Sequence, residues 1–225
     1  MSYYPLNLSL KDTPCLVVGG GQVAERKCHS LLSAGAKLTV CSPEATATIQ
    51  KWAQDQKLHW KAEAYNPASE ELSKYFLIIA ATDQEQLNRE ISKQAKKLFR
   101  LVNNVTEPEQ GNFSLPASIQ RGPLLATIST SGQSPALARK LRSALEENLF
   151  TEEQVLLTEF IGSKRSKIKR VIPHAHNRRR FWNDLLESDF SKRIQDLDSS
   201  QIEHTFEQFI EKWQTHYRKE PHAYP

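Results

Sequence analysis

A glycine-rich turn near the start of the chain has the spacing of a phosphate-binding loop. An apolar stretch, 14–18, runs directly into three glycines, and a helical pattern follows at once. In the spacing Gly19-x-Gly21-x-x-Ala24, the first glycine permits a sharp turn and the second lets the backbone approach a pyrophosphate. Ala24 is small enough for close packing of the helix on the strand. An ordinary turn is the alternative, but a helix N-terminus at this point favours a dinucleotide-binding site.

The residues after the next predicted strand, 37–41, bear on which dinucleotide would fit. Such sites usually place an acidic residue there to hold the ribose hydroxyls. This chain has Ser42 at that position and Glu44 two residues later. Ser42 or the backbone is therefore expected to make the ribose contact. Because no arginine follows the strand to bind a 2′-phosphate, the sequence favours NAD over NADP.

Polar residues also end the third long strand pattern, 75–81. Thr82 and Asp83 follow it directly. If this strand lies at the same crevice as the first, Thr82 is expected to contact the cofactor. The alternative is that both residues only cap the helix that follows.

Strands and helices alternate along the first hundred residues. Strands are predicted at 14–18, 37–41, 58–60, 75–81 and 100–104, with a short edge strand at 6–10. Helices are predicted at about 23–33, from Ser42-Pro43 onward, and from Thr82-Asp83 to about 97. This order predicts an α/β fold with a Rossmann-like doubly wound parallel sheet, which binds ligands at the carboxyl ends of its strands.

The pattern changes after Pro108. Strands predicted at 112–116 and 124–129 precede a helix that starts at Ser134-Pro135 and carries an apolar stripe, formed by Leu137, Leu141 and Leu145. Because so small a unit would struggle to bury this stripe alone, a second copy of the chain is expected to cover it. Further helices are predicted at 152–162, 178–187 and 199–218.

These patterns divide the chain into three predicted parts. They are an NAD-binding Rossmann domain at 1–112, a small α+β dimerisation segment at 113–149 and an all-helical C-terminal domain at 150–225. The composition, 39% hydrophobic and 25% charged residues over 225 positions, is that of an ordinary globular protein.

The composition also bears on location and metal binding. No apolar run is long enough to span a bilayer and the N-terminus has no signal pattern, so a cytoplasmic protein without a membrane partner is predicted. Cys15, Cys28 and Cys41 have no metal-ligand spacing and are predicted to be reduced, mostly buried thiols. His174 and His176 lack a nearby carboxylate or cysteine, so no metal site is predicted.

Three segments of the chain form a distinctive set. They are Val17-Val18-Gly19-Gly20-Gly21-Gln22-Val23-Ala24-Glu25-Arg26-Lys27, Ile79-Ala80-Ala81-Thr82-Asp83, and Ile128-Ser129-Thr130-Ser131-Gly132-Gln133-Ser134-Pro135-Ala136-Leu137-Ala138-Arg139. Together they resemble the precorrin-2 dehydrogenase family, which is the dehydrogenase part of siroheme synthase and includes members that also insert iron as sirohydrochlorin ferrochelatases. The likeness extends in order and spacing over residues 3–149. It implies NAD-dependent oxidation of precorrin-2 to sirohydrochlorin by a homodimer whose middle segment is exchanged or packed between subunits.

The resemblance also implies particular cofactor contacts. Gln22 and Val23 are expected to contact the nicotinamide cofactor, as are Pro43 and Glu44 after the second strand. We assign Asn104, at the end of the fifth predicted strand, to the same cofactor site.

One departure from the family's pattern affects the predicted chemistry. The family commonly reads Asn-Val-Val-Asp-x-Pro where this chain reads Asn103-Asn104-Val105-Thr106-Glu107-Pro108. The family's aspartate, to which proton handling is assigned, therefore falls on Thr106, and threonine is no carboxylate base. Glu107 replaces it only if the loop turns its side chain inward. We expect dehydrogenation to survive and metal insertion to be slow or absent.

Thr130 completes the set of predicted catalytic residues, with Thr106 and Glu107. It takes the place of a serine in the family's Ser-x-Gly block and keeps the hydroxyl. It either touches the substrate or only ends a strand.

The implied substrate carries eight carboxylates, so basic residues are expected partners. Candidates are Arg121, Arg139 and Arg142, although residues 139–142 also suit a solvated helix face. A basic stretch, 164–180, lies within a segment, 161–183, that has no acidic residue. It is a solvated loop, a polycarboxylate-binding surface or a nucleic-acid contact. Scarce aromatics and the lack of a nucleic-acid fold motif argue against nucleic acid as a partner.

Two further hypotheses belong to other functional classes. One is a non-catalytic NAD-responsive regulator with a basic effector surface, which does not require the block at 134–139. The other is a chelatase without the redox step, which the missing aspartate disfavours. The chain is too short to hold the methyltransferase half of fused siroheme synthases, so another protein is expected to perform the methylation. Whether the product leads to siroheme or cobalamin stays open.

Overall fold

Five parallel strands form the sheet that carries the glycine-rich turn. The structure is a computed structural model that describes residues 3–67 and 71–218, except for the side chains of residues 217 and 218. The strands are β1 (Pro14–Val18), β2 (Lys37–Cys41), β3 (His59–Lys61), β4 (Leu77–Ala80) and β5 (Leu101–Asn104). Their order in the sheet is β3-β2-β1-β4-β5. Because the order changes direction between β1 and β4, a crevice opens at the carboxyl ends of these two strands.

Three helices cover this sheet: α1 (Gln22–Ser33), α2 (Ala47–Gln54) and α3 (Glu85–Lys97). Val17 and Ile79 belong to a core cluster that includes residues of α1 and α2. Leu16 and Ile78 belong to a second cluster that includes residues of α3. Successive strand residues point to opposite faces, and here both faces are buried, which explains the continuous apolar runs in the sequence. The predicted Rossmann-like fold is confirmed.

The predictions of a strand at 6–10 and of the start of α2 were wrong. Residues 6–10 form no strand, because Leu6 and Leu8 are exposed and only Leu10 is buried. Helix α2 begins at Ala47 rather than at Pro43 with Ser42 as its cap. The hydroxyl of Thr46 caps it by accepting a hydrogen bond from the Ile49 N–H at 3.3 Å. Ser42 is instead held in the loop that precedes this cap.

The helix after β4 also begins later than predicted. Gln84, and not Thr82 or Asp83, is the N-cap residue of α3. The Thr82 hydroxyl accepts a hydrogen bond from the Gln84 N–H at 3.2 Å, so it stabilises the turn before the helix. The side chains of Cys15, Cys28 and Cys41 are buried, as predicted, and form no disulfide within the described residues.

A strand pair and a helix follow in a second compact unit, which comprises residues 116–225, whereas the first unit comprises residues 1–115. Strands β6 (Ala117–Arg121) and β7 (Leu124–Ile128) are antiparallel. The first was predicted at 112–116 and begins five residues later. Helix α4 (Pro135–Leu149) begins where predicted, because the Ser134 hydroxyl accepts a hydrogen bond from the Leu137 N–H at 3.2 Å.

The described residues from 152 to 218 are mainly helical, with α5 (Glu152–Val171), α6 (Ala175–Glu187), α7 (Asp189–Arg193) and α8 (Ser199–Arg218). Their core combines aliphatic and aromatic side chains, and Phe181 meets Phe206 and Trp213 edge to face. The last helix was predicted with the observed bounds. Helix α5 is nine residues longer than predicted, and α7 was not predicted. No helix among the described residues is long and apolar enough to cross a bilayer.

Candidate active site

Gly19 forms the sharp turn at the carboxyl end of β1. Its φ is +116°, a conformation that favours glycine. A Cβ at this position would lie 2.3 Å from the carbonyl oxygen of Ala81, which follows β4. The Gly19 N–H also donates to the Cys41 carbonyl at 3.0 Å. The ends of three neighbouring strands therefore converge on this residue and leave no room for a side chain.

Gly20 holds the turn against the loop that follows β2. A Cβ here would lie 2.0 Å from the Glu44 carbonyl oxygen. The Gly20 carbonyl accepts a hydrogen bond from the Thr46 N–H at 3.0 Å. Gly20 was not among the residues predicted to form the site, although the glycines on either side of it were. Its place in an uninterrupted run of three glycines was the only signal.

Gly21 differs from its two neighbours because no atom lies within 4 Å of a Cβ built on it. It is exposed, and it is the N-cap residue of α1. Gln22 and Val23, in the first turn of the helix, are exposed as well. The first N–H groups of a helix have no partner within it, so here they are available to an anion in open space. The pyrophosphate contact expected at this turn stays a prediction.

The loop after β2 is fixed by its backbone. The Ser42 N–H donates to the Lys61 carbonyl at 3.1 Å, and the Ser42 carbonyl accepts from the indole nitrogen of Trp60 at 3.0 Å. Ser42 is half-buried, whereas Pro43 and Glu44 are exposed. All three lie beside the glycine turn, and their cofactor contacts stay predictions.

A buried amide joins the ends of β4 and β5. Asn88 of α3 is fully buried, and its side-chain oxygen accepts from the Thr82 hydroxyl at 2.7 Å and the Thr82 N–H at 3.2 Å. Its amide nitrogen donates to the Thr82 carbonyl at 2.9 Å and to the Thr106 hydroxyl at 3.3 Å. Asn88 therefore fixes two residues that sequence analysis placed at this site, although it was not itself predicted.

Asn104 organises the loop that leaves β5. Its buried side-chain oxygen accepts three hydrogen bonds, from the Thr106 hydroxyl at 2.9 Å, the Thr106 N–H at 3.1 Å and the Glu107 N–H at 3.0 Å. The amide nitrogen donates to the Ser92 hydroxyl at 3.3 Å. The Thr106 hydroxyl thus has both a donor and an acceptor partner within the protein. We call Asn88, Asn104 and Thr106, together with Glu107, the edge network.

Glu107 forms a two-point ion pair with Arg89 of α3. One bond joins Arg89 Nη2 to Glu107 Oε1 at 2.6 Å, and Arg89 Nε contacts Oε2. Hydrogen bonds from Arg89 hold the pKa of Glu107 below its ordinary value. A carboxylate held in this way is a weaker base, and its side chain lies against α3. Its role as a proton acceptor stays a prediction.

The predicted residues of the second unit have structural partners of their own, with one exception. Thr130 is half-buried and its hydroxyl accepts a hydrogen bond from the Ser134 N–H at 3.0 Å. Arg121 donates to the Phe150 carbonyl. Arg142 donates to the Ser118 carbonyl at 3.0 Å and pairs with Glu146 at 2.8 Å. Arg139 is exposed and has no side-chain partner within the described part of the chain.

Part of the basic stretch 164–180 is structural. Lys164 and Lys167 pair with Glu203 and Glu207 of α8, and Arg178 donates to the Ile172 carbonyl at 3.0 Å. The two ion pairs join α8 to the part of α5 that lies beyond its predicted end. His174 and His176 are exposed, and the described ranges contain no group of three or more His, Cys, Asp or Glu side chains able to hold a metal ion.

Comparisons with known proteins agree with this arrangement. A family described as putative NAD(P)-binding matches residues 6–117, and the sirohaem synthase dimerisation region matches residues 156–210. The second match lies C-terminal to 113–149, the segment for which dimerisation was predicted from the sequence.

Relatives and a solved structure extend the comparison. Siroheme synthase 1 of Serratia proteamaculans is 35% identical over 213 residues, which are 95% of this chain and 44% of that protein. Siroheme synthase 3 of Aeromonas hydrophila is 38% identical over 189 residues, or 84% of this chain and 40% of that protein. The chain thus spans less than half the length of these relatives. The structure of SirC, a precorrin-2 dehydrogenase, is 28% identical and superposes with a TM-score of 0.72 over 93% of this chain and 100% of that chain.

Proposed function

We propose that this chain, which belongs to the precorrin-2 dehydrogenase and siroheme synthase family, oxidises precorrin-2 to sirohydrochlorin with NAD as the oxidant. The likeness to the SirC structure, which extends over both units, is the observation that carries the proposal. The reaction transfers a hydride from the substrate and releases a proton. The proposal includes the predicted homodimer, which the match to a dimerisation region supports, and the predicted cytoplasmic location.

The glycine turn fits the cofactor because of where it leaves space. Gly19 and Gly20 pack against main-chain atoms, whereas Gly21 borders open space at the N-terminus of α1. The backbone of the turn and of Gln22 and Val23 would hold the pyrophosphate. The loop at 42–44 would hold the adenosine ribose, and Thr82 and the edge network would border the nicotinamide. When bound, NAD supplies the acceptor for the hydride.

The chain's own residues contribute mainly by positioning the substrate and the cofactor. Thr106 has no carboxylate, and the carboxylate of Glu107 is held by Arg89. Hydride transfer requires correct placement of the donor carbon and does not require a strong base at this edge. Metal insertion must remove two pyrrole protons, and neither residue offers a free base for that step. We therefore propose that sirohydrochlorin ferrochelatase activity is slow or absent.

An anaerobic incubation with precorrin-2 and NAD tests the proposal. Sirohydrochlorin absorbance and NADH should rise together. Tight NAD binding without turnover would overturn the proposed dehydrogenase activity. It would favour the alternative hypothesis of an NAD-responsive regulator. Adding Fe²⁺ to the sirohydrochlorin formed should give little further change, whereas rapid insertion would contradict the inference drawn from Thr106 and Glu107.

A further inference from the structure

An open groove of about 450 Å³ lies along the exposed side of α3. Four of its five lining residues are cations, and the lining is Arg89, Lys93, Lys96, Lys97 and Gln110. All five belong to the first unit, and none is part of the glycine turn. We call it the α3 groove. A concave surface lined by one sign of charge concentrates ligands of the opposite sign.

The charge of the three lysines is not neutralised by the protein. Lys93, Lys96 and Lys97 are exposed and form no ion pair in the part of the chain that the structure describes. Arg89 is different, because it pairs with Glu107 and its Nη2 lies 3.9 Å from Glu85 Oε2. The segment from 91 to 106 contains no acidic residue. The groove therefore keeps three unpaired positive charges.

Helix stability does not account for all of these charges. Lys96 and Lys97 lie in the last turn of α3, where the helix dipole favours cations. Lys93 lies a full turn earlier, beyond the reach of that effect. It is spaced i,i+4 from both Arg89 and Lys97, a spacing at which like charges repel and destabilise the helix. A ligand that neutralises them would offset this cost.

The groove begins beside the edge network, where the predicted reaction would take place. Arg89 holds Glu107, which follows Thr106, the residue at the family's aspartate position. From Arg89 to Lys97 the helix rises by about 12 Å. Lysines are flexible point charges without the rigid fork of arginine, so three of them spread over this length suit several separate anionic groups better than one phosphate.

We propose that the α3 groove binds polycarboxylated tetrapyrroles and delivers them to the edge network. This inference rests on the proposed function for its ligand, because precorrin-2 and sirohydrochlorin carry many carboxylates on one macrocycle. The lysines attract the carboxylates over a distance and hold them loosely, which raises the rate of productive encounter without changing the chemistry.

A titration of uroporphyrin, an octacarboxylate fluorophore, tests binding without turnover. The groove variant K93E/K97E is compared with K11E/K51E, whose two exposed lysines lie elsewhere in the first unit. Both variants change the net charge by the same amount. At low salt the groove variant should bind uroporphyrin at least about tenfold more weakly, and the control variant within about twofold of the parent chain. Coproporphyrin, with four carboxylates, should bind more weakly than uroporphyrin to the parent chain.

Kinetics separate this inference from the proposed function. With precorrin-2, K93E/K97E should lower kcat/KM while kcat and NAD affinity stay unchanged. K93Q/K97Q should give a smaller effect in the same direction and also shows whether charge reversal disturbs the fold. Equal uroporphyrin affinity for the groove and control variants would overturn the proposal that the α3 groove binds polycarboxylated tetrapyrroles. If the parent chain does not oxidise precorrin-2, the titration still decides whether the groove binds polycarboxylates.

Discussion

The glycine turn follows β1 and the edge network lies at the end of β5, two strands away in the same parallel sheet, yet the two regions are built in opposite ways. In the turn, Gly19 and Gly20 meet main-chain atoms and Gly21 borders open space, so backbone does the positioning. In the edge network, side chains bond to one another: Asn88 to Thr106, Thr106 to Asn104, and Glu107 to Arg89. The glycine turn presents unpaired backbone donors, whereas the polar groups of the edge network form hydrogen bonds with other groups of the protein.

This difference separates two kinds of inference about function. A backbone cradle needs only small residues at fixed spacing, so its role follows from glycine positions. A side-chain network can keep polar residues in a family's position while changing what they do, because their atoms are committed to neighbours. The proposed binding of the oxidant by the glycine turn therefore follows more directly from residue types than a role in proton transfer for the edge network.

The largest effect is expected in the turn. Gly19→Ala puts a Cβ 2.3 Å from the Ala81 carbonyl oxygen at a φ of +116°, so the free energy of unfolding should fall by about 2–5 kcal/mol. Gly21→Ala is the matched control, because its Cβ meets nothing within 4 Å, and should cost less than about 1 kcal/mol. Urea denaturation measures both. Equal losses would contradict the distinction between packed and open glycines.

A smaller loss of stability is expected in the edge network. Asn88→Ala removes the partners of the Thr82 hydroxyl and N–H and should lower the free energy of unfolding by about 1–3 kcal/mol. Gln86→Ala, on the exposed side of the same helix, is the control and should change it by less than about 0.5 kcal/mol. If the two variants unfold alike, the network does not stabilise this edge.

Glu107→Gln tests whether the ion pair leaves a base available. Because Arg89 already holds the carboxylate, the dehydrogenation rate should fall less than about threefold, whereas loss of a working general base costs about 100-fold or more. The folded-state pKa of Glu107 is lowered, so the ion pair stabilises the fold above the unfolded-state pKa and is lost as the pH falls through the folded-state pKa. The stability difference between parent and variant should therefore disappear at pH values well below 4.5.

The smallest effect is expected at Phe99, which shares a positive φ with Gly19 but has open surroundings. Phe99 follows α3 with a φ of +54°, and its side chain is 94% exposed. Phe99→Gly should stabilise the first unit by about 0.5–1 kcal/mol, because glycine relieves the backbone strain and little packing is lost. Phe99→Ala keeps the strain and should bring no gain. Thermal unfolding distinguishes them, and a loss with glycine would show that the exposed ring makes a stabilising contact.

Much of the fold could be predicted from sequence because local patterns carry it. The runs around Val17 and Ile78 are buried on both faces of the sheet, and Ser134 caps α4 through its own hydroxyl. Helix α2 was placed too early because Ser42-Pro43 has the local signature of a helix start. A hydrogen bond from the Trp60 indole to the Ser42 carbonyl and one from the Ser42 N–H to the Lys61 carbonyl hold that segment as a loop, and both partners are distant in sequence.

The residues of the candidate site also differ in whether a local sequence pattern marks them. The glycine spacing of the turn is a local signal, and the structure leaves no room for a side chain at Gly19 and Gly20. Asn88 carried no signal, because a single asparagine in a helical pattern says nothing about the two strand ends that it joins. The partner of Glu107 was equally hidden, since Arg89 lies eighteen residues away in sequence.

The most direct test of the central claim compares the parent chain with Gly21→Asp in an anaerobic cuvette with precorrin-2 and NAD. The aspartate adds bulk and negative charge at the predicted pyrophosphate site. The parent chain should form sirohydrochlorin and NADH in equal amounts, and the variant should form neither while keeping its fold by circular dichroism. Unchanged NAD affinity and turnover in Gly21→Asp would contradict the claim that this turn binds the oxidant.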